Sequence, residues 1–350
     1  MTQSAEAPQA QLPADLTVPE LLIPTPEPVP SLFSGPVGIY PVVAPARRRI
    51  PDTDLWVYPV ALGAQRFGRT VETRTAVDML DRYREAGGNL IDSVDAVVAR
   101  PSEQLVGAWL KARGCRDDML LATTVGGGTD FPGIAPANIR AGVDASLRRL
   151  GVERIDLLFL RESPDAPVEL EESLGAIDAL VRAGKVNEIG AAGFSAERLF
   201  QARVLAANGL PFFRAVQTPY NLVERLGYES SISLVAAAQG MAVFPSSPLA
   251  HGTLAGSPRA NDSFPEDSRP GRVTNQLNRR AHRIFVVLDR IAGEYGVSAP
   301  TVALAWLLTK RGVVAPVTGA RSIMELHSIM GAPRVTLTRA DMLDLDRASV

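Results

Sequence analysis

What most constrains this chain is a rhythm. From Arg48 onward, short apolar runs alternate with amphipathic stretches at helical period. The runs are Val60–Ala64, Asn89–Val94, Met119–Val125, Ile155–Leu160, Glu188–Ala192, Ala215–Gln217, Met241–Phe244 and Val313–Val317. Short apolar runs separated by helical segments read as βαβ units, whose strands pair in parallel. Eight such units are the count that closes a (β/α)8 TIM barrel, and the helix expected over 73–86 fits between the first two strands. A flat doubly wound sheet is the runner-up. It usually needs fewer repeats, and no Gly-x-Gly-x-x-Gly turn follows the first run. Residues 50–57 read as a short hairpin leading into the barrel.

Residues 1–46 break the rhythm. They hold ten prolines, including Pro24, Pro26, Pro28 and Pro30, and no helical period. Proline removes backbone donors and favours extended polyproline-like segments, so a disordered or loosely packed extension is expected, with the barrel over 47–350. Two apolar clusters interrupt it, Leu21-Leu22-Ile23 and Val37 to Val43. They suit docking onto another protein or along the barrel itself, and an inert tail is the plainer alternative.

The bulk numbers exclude several classes. A formal net charge of −2 gives no pull toward nucleic acid or an anionic membrane. One cysteine, Cys115, rules out an internal disulfide and a multi-cysteine zinc site. No apolar run approaches the ~20 residues that span a bilayer, and the first residues have neither a basic start nor an apolar signal core. A soluble cytoplasmic protein is expected. Lysine occurs only at Lys111, Lys185 and Lys310, which limits where a catalytic lysine can stand.

A local pattern names a family. Asn89-Leu-Ile-Asp92-Ser-Val-Asp-Ala-Val97, then Ser102-Glu103 with Gly107, resembles the second βα unit of the aldo/keto reductases without a gap. Further blocks follow in the family's order. They are Ser146-Leu-Arg-Arg-Leu-Gly151 with Ile155-Asp156-Leu, Gly184-Lys-Val with Ile189-Gly190, and Gln217-Thr-Pro-Tyr-Asn221. Ser247-Pro-Leu-Ala-His-Gly252-Thr-Leu254, Leu304-Ala-Trp306 and Gly319-Ala-Arg321 complete the series. Each block is weak alone. Together they cover about residues 48–335.

The resemblance implies an NADPH-dependent carbonyl reductase using a tyrosine proton donor, a lysine–aspartate pair and a histidine at the carboxyl ends of strands two to four. Here Asp92 matches the aspartate. Val97 occupies the tyrosine position and has no proton to give. Thr124 follows Ala122-Thr123 where the lysine belongs. Arg161 takes the histidine position, or Glu162 after a one-residue shift. All three histidines, His251, His282 and His327, come after the sixth strand. Tyr220, the remaining tyrosine near the mouth, stands where the family has a mainly structural one. Arginine is a permanent cation, so Arg161 can hold an anion but cannot act as a general acid. Two readings of it stand: partner to Asp92 in place of the lysine, or clamp for an anionic substrate. Glu162 and Asp95 are candidate acids or bases.

For the cofactor, the resemblance implies NADP(H) with an amide clamp after strand five. Those positions read Ala192-Gly193, while the third clamp residue, Gln217, is present. The ring-stacking aromatic is replaced by Ser246. At the phosphate end Ser247, Leu249, Gly252 and Leu254 match the loop over the pyrophosphate. Gly319, Arg321 and Ser322 open a helix whose free N–H groups favour an anion. Glu325 is placed for the adenine edge, and Ile329 stands where an asparagine is usual. His251 and Cys115 read as an exposed loop residue and an inert thiol. Three functions follow. The leading one is a non-catalytic accessory, scaffold or nucleotide-sensing partner. The others are an NADP(H)-dependent oxidoreductase with non-standard residues, and a non-redox lyase or isomerase using Asp92, Arg161 and Glu162.

Overall fold

A computed structural model describes residues 23–24, 45–94, 100–128, 130–162, 168–255 and 279–350. The sequence readings on Asp95, Val97 and most of the proline-rich extension lie outside them. The short antiparallel hairpin of β1 (Arg48–Arg49) and β2 (Trp56–Val57) precedes the barrel. The barrel strands are β3 (Ala61–Gly63), β4 (Leu90–Val94), β5 (Leu120–Val125), β6 (Ile155–Arg161), β7 (Val186–Ala192), β8 (Ala215–Pro219), β9 (Ala242–Ser246) and β10 (Val317–Thr318). Every pairing is parallel, in the order β10-β3-β4-β5-β6-β7-β8-β9.

The expected eighth strand, 313–317, divides in two. Val314 N donates to Val243 O at 2.9 Å on the β9 side, and Ala61 N donates to Pro316 O at 3.0 Å on the β3 side. Pro316 has no N–H to continue the ladder, so regular pairing resumes only at Val317. These bonds close the barrel.

The helices α1 (Thr73–Glu85), α2 (Arg100–Arg113), α3 (Pro136–Leu150), α4 (Leu170–Arg182), α5 (Ala196–Ala207) and α6 (Ser233–Gln239) follow successive strands. They are joined by α7 (Arg279–Tyr295), α8 (Ala299–Leu308), α9 (Ile323–Gly331) and α10 (Arg339–Ala348). Their buried faces follow the 3.6 period: α1 buries Ala76, Val77, Met79, Leu80 and Tyr83. Helix α3 starts with Pro136 and stops at Gly151, whose φ of 63° is the left-handed cap that glycine adopts without cost. No single helix among the described residues is long and apolar enough to cross a membrane.

Two cores result. The larger fills the space between strands and helices, and Ile23 of the proline-rich extension packs against it. The smaller is the barrel interior, where Leu157, Phe159 and Phe244 meet alanines from neighbouring strands and the hairpin's Ile50, Leu55 and Val57. Phe159 and Phe244 meet edge to face at 5.8 Å. Gly190 makes room for them, since a Cβ there would lie 2.5 Å from the Phe159 ring. A packed floor of this kind fills the barrel interior, and barrel proteins build their reaction sites above it, at the carboxyl ends of the strands.

Candidate functional site

Side chains alternate across a strand, so residues two positions beyond the apolar floor also point inward, at the barrel's carboxyl end. On β4, Leu90 belongs to the inner core and Asp92 follows. Leu120 and Ala122 are followed on β5 by Thr124, Phe159 on β6 by Arg161, Ala215 on β8 by Gln217, and Phe244 on β9 by Ser246. The result is a polar crown on an apolar barrel. The outward-facing Ser93 and Thr123 instead donate to Glu103 of α2, at 3.2 and 3.3 Å.

Asp92 is the most perturbed group in the crown. It is 3% exposed, and its hydrogen-bond partner is Gln217, whose Nε2 donates to Oδ1 at 3.3 Å. Burial penalises the ionised carboxylate and pushes it up to about 7, with Gln217 and the charge of Arg161 pulling weakly the other way. The lysine of the family's pair has no equivalent here, because Thr124 stands buried on β5 and offers only a neutral hydroxyl.

Arg161 does not replace that lysine as an ion-pair partner. Among the described residues no ion pair or hydrogen bond joins it to Asp92, although the two feel each other's charge. The side chain stands solvent-exposed at the mouth. The dense wall below still draws its guanidinium down from the ordinary value. Its stem lies over Gly127, where a Cβ would come within 2.7 Å of Arg161 Cδ, and a Cβ on Gly126 would strike the Arg161 carbonyl oxygen. The glycine run after β5, through Gly126 and Gly127, leaves room for the Arg161 backbone and stem in this position. That run, Gly126-Gly127-Gly128, was visible in the sequence as a triple glycine at a strand's carboxyl end, and its role emerges only from the packing.

Glu162 goes elsewhere. It follows Arg161 by one residue, so it faces outward, and Arg198 of α5 holds it with Nη2 at 2.6 Å and Nε at 2.8 Å. The fold therefore does not bring it together with Asp92 and Arg161. Tyr220 is buried, donates its hydroxyl to Glu229 at 2.7 Å and packs against Tyr228 and Trp306. Burial and the Glu229 charge both raise it far above an ordinary tyrosine, so its hydroxyl keeps its proton. Cys115 is buried and free.

The positions expected at the nicotinamide end carry few polar side chains. Ala192 and Gly193 offer no side-chain hydrogen bond, and Gln217 is turned to Asp92. At the phosphate end the loop from Ser247 to Leu254 keeps a shaped backbone, with φ of 48° at Ser247, 49° at Ala250 and 56° at His251, ahead of Gly252. Leu254 is buried and Leu249 packs on the core, so both hold the loop in place. Gly319 passes so close to β3 that a Cβ would sit 2.9 Å from Gly63 O. Ser322 caps α9 by accepting from Glu325 N at 3.2 Å. Glu325 folds back to accept from Arg321 Nη2 at 2.7 Å and from Arg321 N at 2.9 Å. This carboxylate therefore occupies donors at the helix start that an anionic ligand would need. Ile329 is buried in the core and offers an adenine nothing polar.

The family-like motifs turn out to hold the barrel together. Asn89 clamps the hairpin, accepting from Tyr58 N at 2.7 Å and donating to Trp56 O at 2.8 Å. Ser102 Oγ donates to Ala64 O at 2.5 Å, beyond the end of β3. Glu103, fully buried, pairs with Arg149 of α3. Gly107 lets α2 lie against the end of α3, where a Cβ would strike the Leu150 carbonyl. Asp156 ties β6 to β5 by accepting from Leu121 N at 2.8 Å. A polar cavity of about 460 Å³ lies at the opposite end, beside Trp56, Asn89 and the Arg84–Asp118 ion pair. Barrel enzymes do not build reaction sites on that face.

The comparisons agree with this geometry. The model of the aldo/keto reductase family matches residues 59–350. Norsolorinic acid reductase B of Aspergillus parasiticus is 28% identical over 326 residues, covering 88% of this chain and 85% of that protein. Aryl-alcohol dehydrogenase of Phanerodontia chrysosporium, whose full name specifies NADP(+), is 26% identical over 325 residues, with 85% and 83% covered. The aldo-keto reductase ausK of Emericella nidulans is 27% identical over 348 residues, with 92% and 83% covered. A parallel eight-stranded barrel and a family match across most of its length place this protein in the aldo/keto reductase family.

Proposed function

We propose that this chain has left standard NADPH-dependent carbonyl reduction and serves as a non-catalytic, ligand-binding member of its family. One observation carries the reading: Asp92 bonds to Gln217, with no lysine beside it. The proton relay needs a tyrosine eased by that lysine, and Val97 and Thr124 supply neither group. The bare clamp positions Ala192 and Gly193 support the same reading, because a hydride donor must be held in register with its acceptor. NADP(H), which the family generally binds, would meet only the phosphate-side residues, and Glu325 competes there. The partner is another protein reached through the proline-rich extension, whose clustered prolines suit recognition as a polyproline helix. A buried, free Cys115 fits a reducing cytoplasm.

The test is turnover. The purified full-length chain is given NADPH with a panel of aliphatic and aromatic aldehydes and ketones, and nucleotide consumption is followed. The expected result is consumption no faster than without protein. Sustained, saturable reduction that is lost in Asp92→Asn would overturn the reading.

A second reading rests on Asp92 titrating at about 7, where an acid–base catalyst works best. It makes the chain a non-redox lyase or isomerase. Turnover of a candidate substrate unchanged in Asp92→Asn would sink it.

A further inference from the structure

We propose that the crown at the barrel mouth is a receptor for a small carboxylate, gripped by the guanidinium of Arg161 and the inward hydroxyls of Thr124 and Ser246. The proposal names the ligand class for the non-catalytic reading above, and so rests on it.

The geometry supplies three arguments. First, Arg161 is a fork of donors with no hydrogen-bond or ion-pair partner among the described residues, held at the mouth by a stem that two glycines admit. A guanidinium in that state is suited to a planar carboxylate, which it meets with two parallel bonds. Second, the hydroxyls of Thr124 and Ser246 point inward and make no hydrogen bond within the described residues. Third, the floor beneath is closed by Phe159 and Phe244, 1% and 0% exposed, so a ligand has an apolar base and a polar ring around its charged end. Small-molecule sites combine surfaces in this way.

Asp92 sets the sign of a pH effect. An ionised Asp92 repels a carboxylate and a protonated one does not. Among the described residues Arg161 of β6 is the charged group that acts on it, Gln217 of β8 is neutral, and the neighbouring strands β3 and β5 present the uncharged Gly63, Ala122 and Thr124. Binding should therefore take up a proton, and should weaken up to ten-fold per pH unit above the point where Asp92 ionises.

The experiment is a calorimetric titration of the full-length chain with benzoate, acetate and inorganic phosphate at pH 7, in two buffers of different ionisation enthalpy. The expected result is saturable binding of a carboxylate with uptake of a fraction of one proton. Arg161→Met should weaken it at least ten-fold. Arg161→Lys, which keeps the charge and loses the fork, should give an intermediate loss, and circular dichroism confirms that each variant folds. Asp92→Asn should bind more tightly than the parent at pH 8 and take up no proton. Binding of phosphate alone, equal affinity in Arg161→Met, or no saturable heat from any probe would overturn the proposal. NADPH turnover, run in parallel, separates the two claims. Turnover refutes the non-catalytic reading whatever the carboxylate does, and absent binding without turnover refutes only the receptor.

Discussion

Gln217 Nε2 reaches across the barrel interior from β8 to donate to Asp92 Oδ1 on β4, at 3.3 Å. One amide thus answers a buried carboxylate that in this family belongs beside a lysine. An amide stabilises the ionised form less than a full positive charge does, so desolvation wins and Asp92 stays largely uncharged below about pH 7.

Stability should therefore fall as pH rises. Between the unfolded value near 3.8 and the folded value of about 7, the folded chain holds a proton that the unfolded chain has released. Over that window folding loses on the order of 4 kcal/mol, and above it the loss is constant. Asp92→Asn should remove this slope and raise the denaturation midpoint at pH 8. Urea melts of both proteins from pH 4 to 8 check it, and parallel slopes would contradict the titration.

The Glu103–Arg149 pair predicts an asymmetric response. Glu103 is fully buried, so Arg149→Ala strands a charge inside the protein. It should cost about 3–5 kcal/mol by chemical denaturation, more than the paired change Glu103→Gln with Arg149→Met. A double variant as unstable as the single one would deny the pair its role.

Gly107→Ala tests the helix contact. The added Cβ meets the Leu150 carbonyl, a backbone group that cannot swing aside, so α2 and α3 must separate. A loss of about 1–3 kcal/mol is expected, against a gain of about 0.5–1 kcal/mol for Gly175→Ala, an exposed glycine inside α4 whose Cβ meets nothing within 4 Å.

Rebuilding the catalytic group should need more than the group itself. Val97→Tyr, Thr124→Lys and Arg161→His together should leave NADPH consumption at background, because Ala192 and Gly193 still cannot hold the nicotinamide. Adding Ala192→Ser and Gly193→Asn should bring measurable NADPH binding by fluorescence. Gly193 tolerates the change, since asparagine accepts its φ of 71° and a Cβ there meets no atom. Activity in the triple variant alone would show that the existing clamp suffices.

The sequence by itself determined the barrel. Alternating apolar runs located each strand to within a few residues, because a strand or helix is set by local periodicity. The resemblance also set an expectation, that Val97 and Thr124 stand where the family carries its proton-transfer groups, and the Val97 part of it lies outside the described residues. Partnership was not legible. That Gln217 rather than Arg161 bonds Asp92, that Glu162 turns outward to Arg198, and that Glu325 folds onto Arg321 all depend on residues far apart in sequence or on rotamers fixed by packing. The protonation of Asp92 belongs with them. A carboxylate's charge is decided by the water and dipoles around it, and only the closed barrel removes that water.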